Sequence, residues 1–437
     1  YILNQSKTKV LFIPLNFRKF NHLEMVRALK DELPYLDKVV VIDKYQEETK
    51  LNDSTEINYK SCFTRGDFLH EAVEVNDSDP LLLMYTSGTT SDPKGAIHTH
   101  ATLIHESNTM IDLYRLDQED NIFMPSPVTH IAGLVNGLEF PFMLGCKVVL
   151  QDVWDPKEAV ETIIRENCTF TLGATPFLQG IYQYVRETGR KIPLRIFPCG
   201  GADVPPELVI QASKYLECFV TRVYGSTEYP TFLLCGPHDP KEKAAYTDGR
   251  PLKGSVGKIL DEEGKELPIG NMGELAVKGP EMFLGYIQSK FNEDAFTEDG
   301  YFLTGDLAVM DEDGYFQIKG RKKDIIIRGG ENIPVKEVEE LLYQHEKIAR
   351  VAVVAMPDEK MGEKACAYLE LNGDGTIDLE EIKRFLLDRG IAIQKIPERL
   401  EIIPEMPMTT SGKVQKYLLR EDIKKKVSET LSNNGVQ

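Results

Sequence analysis

No apolar run in this chain approaches the ~18 residues that cross a bilayer as a helix, and no charged-then-apolar leader opens it. The expectation is a cytoplasmic protein with no integral membrane segment. Positive charge is in deficit: 51 Lys+Arg against 69 Asp+Glu leave a net charge of −18, which repels a phosphodiester backbone and argues against a nucleic-acid partner. Cysteine is sparse. The seven (Cys62, Cys146, Cys168, Cys199, Cys218, Cys235, Cys366) are odd in number and scattered, with no Cys-x-x-Cys pair, so neither a disulfide framework nor a zinc ribbon is indicated. Internal repeats and low-complexity tracts are missing as well. What remains is an ordinary globular balance, 42% hydrophobic and 27% charged, in 437 residues, enough for about three units of domain size.

From about Leu81 to Val223, short apolar runs alternate with longer segments of helical period. Leu81 to Tyr85, Asn121 to Met124, Lys147 to Leu150, Thr169 to Leu172, Arg195 to Pro198 and Phe219 to Val223 read as strands. Asp155 to Glu166 and Pro205 to Tyr215 read as helices, the second with proline in its first turn. This alternation predicts an α/β fold with parallel-rich sheets flanked by helices, whose ligands sit at the carboxyl ends of the strands. After Tyr224, glycine, proline and short alternating strands dominate to Gly285 and predict a small β subdomain. A hairpin follows over Val309 to Lys319 around Asp313-Gly314. From Pro334 the order helix, strand, strand, helix, strand predicts a compact α+β unit with its own core. The basic stretch Gly320 to Asp324 marks the boundary, giving a large domain over 1–320 and a small mobile domain over 321–437.

Four motifs carry chemistry. Directly after the first of these strands comes Tyr85-Thr-Ser-Gly-Thr-Thr-Ser-Asp-Pro-Lys-Gly95. Small residues let backbone N–H groups approach phosphate oxygens, the hydroxyls of Thr86, Ser87, Thr89 and Thr90 around Gly88 add hydrogen bonds, and Lys94 adds a point charge. Pro93 stands where a Walker A loop needs glycine, so this is not that loop. A solvated loop is the ordinary fate of a Gly/Ser/Thr tract, but four hydroxyls around one glycine, closed by Pro-Lys-Gly, favour phosphate. Tyr224-Gly225-Ser226-Thr227-Glu228 ends another strand, where a carboxylate can hold Mg²⁺ beside phosphates and an aromatic ring can stack on a purine. Thr304-Gly305-Asp306, with Arg321 fifteen residues further on, suits ribose hydroxyls, although a surface salt bridge is the commoner fate of such a pair. Pro407-Met-Thr-Thr-Ser-Gly-Lys413 sets a lysine on a glycine turn that a domain movement can deliver into a site; a solvated lysine is the plainer alternative.

In this order, and with Gly-Arg-x-x-Asp…Gly-Gly-x-Asn between residues 320 and 332, the motifs resemble the adenylate-forming superfamily and are most similar to its AMP-forming acyl-CoA synthetases. Peptide-synthetase adenylation domains and beetle luciferases belong to the same group. The resemblance spans Leu81 to Lys416. It implies that Thr86, Ser87, Gly88, Thr89, Thr90 and Lys94 bind the ATP phosphates. It places Gly201, Ala202 and Tyr224 around adenine, with Gly225 and Thr227 beside them, Glu228 on Mg²⁺, and Asp306 and Arg321 on the ribose. It implies Lys413 as the catalytic residue of adenylation, assisted by Thr86 and Glu228, Lys323 as the hinge, and Gly329 and Gly330 at coenzyme A. His130, with Thr175 and Phe177, falls at the acyl pocket and its gate. Ser91 stands where the family usually has Gly and Lys416 where it has Arg. The family also has a further stretch ahead of Tyr1, so missing N-terminal residues are expected.

The implied reaction activates a small-molecule carboxylic acid with ATP to acyl-AMP and pyrophosphate, then transfers the acyl group to coenzyme A. A homodimer is left open. Loading of a carrier protein, a luciferase-like oxygenation and a non-catalytic nucleotide-binding relative remain as alternatives. Thr175-Pro176-Phe177, Tyr229 and Phe232, with no charged residue among them, are the expected pocket and favour a medium-length aliphatic, alicyclic or aromatic acid over a dicarboxylate or an amino acid. Two further patterns resolve into simpler readings. Glu370 to Glu381 nearly fits a calcium loop, but a strand precedes it where a helix is needed, and a helix capped by Asp378 with Glu381 three residues on explains it better. His98, His100 and His105 complete no zinc set and are expected at the surface or at a helix start.

Overall fold

The computed structural model describes residues 1–43, 51, 54–64, 73–86, 93–373, 375–408 and 414–434. Five of the six strands read from sequence lie side by side in parallel: Phe219–Tyr224, Ile196–Gly200, Phe170–Thr171, Ile122–Met124 and Val148–Leu150. Leu233–Leu234 and Arg250–Pro251 extend that sheet antiparallel. Neighbouring residues on one strand enter opposite cores. Phe123 and Phe197 pack with Val160, Ile163 and Leu178 on one face, whereas Ile122 and Ile196 pack with Leu103, Met110 and Phe140 on the other. A sheet covered on both faces needs apolar side chains at successive positions, which is why these strands read as continuous apolar runs.

The helices start where their side chains satisfy free backbone N–H groups. Pro156–Arg165 has Asp155 as its cap, accepting from the Glu158 N–H at 2.8 Å, and it buries Ala159, Val160, Thr162 and Ile163 at helical spacing. Pro206–Leu216 begins on Pro205-Pro206 and ends at Glu217, which takes a left-handed φ of 53°.

The strand ahead of the Ser/Thr loop does not join the parallel sheet. Pro80–Thr86 forms an antiparallel hairpin with Lys94–Thr99, and Gly285–Tyr286 completes the sheet. The reason is length: residues 87–93 are too few for the crossover that a parallel return requires. The N-terminal region, unassigned from sequence, is a separate parallel sheet of Val10–Pro14, Lys38–Ile42 and Glu56–Asn58 over a core of Ile13, Leu23, Val26, Val39 and Val41.

The expected β subdomain is an antiparallel meander of Val256–Leu260, Gly273–Lys278, Phe302–Met310 and Phe316–Arg321, whose last two strands turn at Gly314 with φ 78°. Beyond it, Ile326–Arg328, Glu331–Ile333, Ile348–Asp358, Gly362–Leu371 and Arg399–Ile402 make one further sheet. Helices Val335–Leu342 and Leu379–Leu387 cover one face, and Lys416–Asn434 covers the other. Among the described residues, no core cluster contains both Ile318 and Ile326. The segment that mimics a calcium loop is strand, turn and helix: Asp378 caps by accepting from the Glu381 N–H at 2.8 Å, and Lys347 holds the Glu381 carboxylate at 2.7 Å.

Candidate active site

Two cavities meet at the carboxyl ends of Ile196–Gly200 and Phe219–Tyr224. The narrower, about 160 Å³, runs among His130, Ile131, Val135, Leu172 and Phe177. The wider, about 560 Å³, lies towards the β subdomain. Thr86, Ser226, Glu228 and Arg321 border both. Two close approaches shape the junction. A Cβ on Gly200 would stand 2.1 Å from the Val223 carbonyl oxygen, and one on Gly225 would stand 1.9 Å from that of Pro230, so both glycines are demanded by backbone packing.

The wider cavity is basic in an acidic protein. Lys94, Lys290, Arg321, Lys322 and Lys323 face Glu228, Glu274 and Asp294, and Lys322 is neutralised by Glu274 at 2.8 Å. The Lys94 ammonium sits 5.0 Å from the Tyr286 ring centre and 4.7 Å from that of Phe291, a cation–π cradle that fixes its direction. Thr86 closes the hairpin opposite Lys94. Ser87, Gly88, Thr89, Thr90 and Lys413 lie outside the described residues. Glu228 accepts from the Tyr286 hydroxyl at 2.7 Å, and this single carboxylate at the border of both cavities fits the coordination habit of Mg²⁺, which takes one or two carboxylates and fills its shell with phosphate and water oxygens.

Asp306, expected to await ribose hydroxyls, already has protein partners. The Tyr224 hydroxyl donates to Oδ2 at 2.7 Å, and Arg321 Nε lies 2.9 Å from Oδ1. Asp306 and Arg321 stand directly opposite in the antiparallel pair, and Asp306 is only 5% exposed. Burial, and then the neighbouring Asp306, push the Tyr224 phenol well above its ordinary range, so it stays a donor. A carboxylate oxygen has a second lone pair, so the triad can still receive a sugar hydroxyl. Asp306→Ala should therefore lower folding stability by about 1–3 kcal/mol as well as weaken ATP binding. Urea denaturation and calorimetric ATP titration check the two effects separately. An unchanged midpoint would deny the structural role, and unchanged affinity would remove Asp306 from the nucleotide site.

Other expected residues are redistributed. Gly201 (φ 78°), His130 and Phe177 line the narrow cavity, and Thr227 does so while its carbonyl accepts from His98 Nε2 at 2.7 Å. Ala202 borders neither cavity, and the Thr175 hydroxyl is turned to the Asp203 carbonyl at 2.6 Å. Tyr229 and Phe232 belong to a core cluster rather than to the pocket, because the loop after Glu228 folds them under the meander. His98 is fully buried in a strand, not at the surface. Gly329 and Gly330 lie at a hairpin turn away from both cavities, while Lys323 borders the wider one.

Sequence patterning missed Glu106 and Asn136 on the wall of the narrow cavity. Glu106 shares the buried stripe of helix His100–Tyr114 with Leu103 and Met110, so its spacing was a usable signal of burial. Asn136 lies on a π-helical turn over Val135–Glu139, the irregular kind of turn often found at functional sites. A charged residue therefore does enter the pocket that was expected to be charge-free. Burial raises the Glu106 and Glu281 carboxyls, Glu106 adding to the effect on Glu281, and burial lifts Glu139 to about 7. Burial likewise holds the His105 imidazole below its usual range, and its Nδ1 shares a hydrogen bond with Glu281 Oε1 at 3.0 Å.

The family model "AMP-binding enzyme" matches residues 1–287, and "AMP-binding enzyme C-terminal domain" matches 337–413. The chain is 34% identical over 432 residues to a medium-chain fatty-acid–CoA ligase of Escherichia coli, covering 98% of itself and 75% of that protein. It is 32% identical to a mitochondrial medium-chain acyl-CoA ligase of Bos taurus, covering 97% of itself and 72% of that protein. Its fold superposes on ATP-bound MatB from Rhodopseudomonas palustris with a TM-score of 0.85 at 26% identity, over 97% of this chain and 81% of that one. Among the described residues, no helix is long and apolar enough to cross a membrane.

Proposed function

The chain belongs to the AMP-binding enzyme family, and on that premise we propose that it joins a medium-length carboxylic acid to coenzyme A through an acyl-AMP intermediate. The observation that carries this reading is the shared border of the two cavities. A narrow pocket with largely apolar walls, into which Glu106 and Asn136 also project, and a basic, phosphate-sized cavity meet at Thr86, Ser226, Glu228 and Arg321. An acid lying in the first, with its carboxylate at that border, faces the α-phosphate of an ATP lying in the second.

The chemistry follows from what must be overcome. One carboxylate oxygen forms a bond to the α-phosphorus while the bond to the bridging oxygen breaks, and pyrophosphate leaves. Both reactants are anions, so charge concentrates on the α-phosphate in the transition state. Lys94 in its aromatic cradle, Arg321, and Lys413 brought from the C-terminal unit would meet that charge. The carboxylate is already ionised near pH 7 and needs no general base. Mg²⁺ held at Glu228 would offset phosphate charge. In the second step the thiolate of coenzyme A attacks the carbonyl carbon and AMP departs. The smaller unit over 321–437 would supply Lys413 to the first step and Gly329-Gly330 to the second, turning at Lys323. Names of the relatives support medium-chain acids as the first to try.

Exchange of labelled pyrophosphate into ATP should appear only with a suitable acid and Mg²⁺. No exchange across a broad acid panel would overturn the reading. Thioester formed with a carrier protein but never with free coenzyme A would shift it to a loading domain.

A further inference from the structure

We infer that the narrow cavity selects acids carrying a hydrogen-bond donor, a hydroxyl or an amine, at the end remote from the carboxylate, which Glu106 and Asn136 receive. This rests on the proposed adenylation and names its substrate class more closely. Glu106 is 0% exposed and Asn136 2% exposed, and both line the cavity. Among the described residues, no donor meets hydrogen-bonding geometry at either carboxylate oxygen of Glu106, although Thr231 on the same cavity wall lies close enough for its hydroxyl and backbone N–H to bear on that carboxyl. Asn136 is independent of the acidic cluster and points the same way. Its amide nitrogen is fixed by donating to the Ala132 carbonyl at 2.9 Å, which orients the amide, and its Oδ1 is left without a donor. The wall thus offers acceptors on two elements, helix His100–Tyr114 and the π-helical turn, that no described residue pairs with at full hydrogen-bonding geometry.

Buried acceptors are ordinarily paired, because an unpaired one loses its hydration without return. Glu281 does not settle the account. One of its oxygens is taken by His105, the other has no donor, and it is a carboxylate itself. A proton shared between Glu106 and Glu281 would satisfy one oxygen of Glu106 and leave the second, together with Asn136 Oδ1. Among the described residues, the charged groups that act most on Glu106 and Glu281 are other glutamates. A pocket meant for a plain alkyl tail would place leucine or methionine at these positions. A site with unmet acceptors instead penalises a ligand that lacks the donor, since binding it seals those acceptors from water.

The test compares hexanoate with its terminal-hydroxy and terminal-amino derivatives, and octanoate with its own, by acid-dependent pyrophosphate exchange. The wild-type protein should show kcat/KM at least about tenfold higher for a tailed acid than for its plain parent. In Glu106→Met that ratio should fall towards one. In Glu106→Gln, which keeps one acceptor but loses the charge, the amine should lose more of its advantage than the hydroxyl. Each ratio is taken within one protein, so a partly folded variant still reports. A wild-type ratio below about tenfold, or one that survives Glu106→Met, overturns the inference while leaving adenylation intact. Exchange with no acid at all overturns the adenylation reading itself.

Discussion

Asp248→Ala should cost about 3–5 kcal/mol of folding stability, more than a typical point substitution. Arg222 lies in the central strand Phe219–Tyr224 and is 1% exposed. Asp248 meets it side-on, with Nε to Oδ1 at 3.0 Å and Nη2 to Oδ2 at 3.1 Å, and the same Oδ2 accepts from the Ile318 N–H at 2.8 Å. One carboxylate thus fastens the central sheet to the meander. Its removal leaves a guanidinium in a dry interior, where the other nearby carboxylates, Glu340 and Asp203, are shared with Lys336. Asp248→Asn keeps one acceptor oxygen, turns the other into an NH2 donor facing a donor and loses the charge, so it should fall between wild type and alanine. Replacing both partners by apolar residues should recover much of the loss, because the cost lies mainly in the stranded charge. Urea denaturation of the variants decides it: an Asp248→Ala protein within 1 kcal/mol of wild type by linear extrapolation would show that Arg222 is held by something else.

That clamp also shows what patterning can and cannot reach. Strands buried on both faces announce themselves as apolar runs, and the turn at Asp313-Gly314 announces itself by residue type, so the central sheet and the last hairpin were legible. Contacts between distant residues were not. Tyr224 and Asp306 are 82 residues apart, and Arg222 lies in an inner strand while Asp248 lies in the loop ahead of Arg250–Pro251, with no local period to connect them. Tyr224 to Glu228 and Thr86 stand out in sequence because their residues are consecutive, and Thr86 and Glu228 do border both cavities, whereas residues 87–92 lie outside the described residues. The narrow cavity was not legible, because its walls come from a helix, a π-helical turn and strand ends that only the fold assembles. Tyr229 and Phe232 looked like pocket residues for the reason that makes them core: they are large, apolar and next to the site.

The second large effect concerns the two half-reactions. Lys413→Ala should reduce acyl-AMP formation by on the order of 10²-fold or more, as loss of a transition-state charge partner does, yet leave conversion of supplied acyl-AMP to thioester. The argument is in the smaller sheet. Val351 and Val353 face the core shared with Ile326 and Ile333, whereas Ala352, Val354 and Met356 face the core shared with Met406, Met408 and Val414. The first core anchors the hairpin that carries Gly329 and Gly330. The second anchors the bridge from Met408 to Val414, which closes the segment containing Lys413. On the proposed mechanism, two elements rooted on opposite faces of one sheet would not both enter one cleft in a single pose, so the unit is proposed to turn between steps, with Lys323 as the pivot. The ion pair of Lys336 with Asp203 at 2.8 Å and its bond to the Ile318 carbonyl at 3.0 Å would then belong to one pose only.

Gly330 supplies the converse test. Gly329 and Gly330, at φ 59° and 89°, form the two-residue turn between Arg328 and Glu331, and a Cβ on Gly330 would meet nothing within 4 Å. A side chain there fits the unit itself, so Gly330→Asn, which tolerates a left-handed backbone, should impair thioester formation while sparing adenylation. Gly330→Leu should do so more severely, with added backbone strain. Lys323→Pro should hold one pose and depress the step that needs the other. Single-turnover assays with ATP and acid, and separately with synthetic acyl-AMP and coenzyme A, measure each step. If Lys413→Ala and Gly330→Asn, both folded, lose the two steps in equal proportion, the opposite faces of the sheet have no mechanistic meaning and a single pose must serve both reactions.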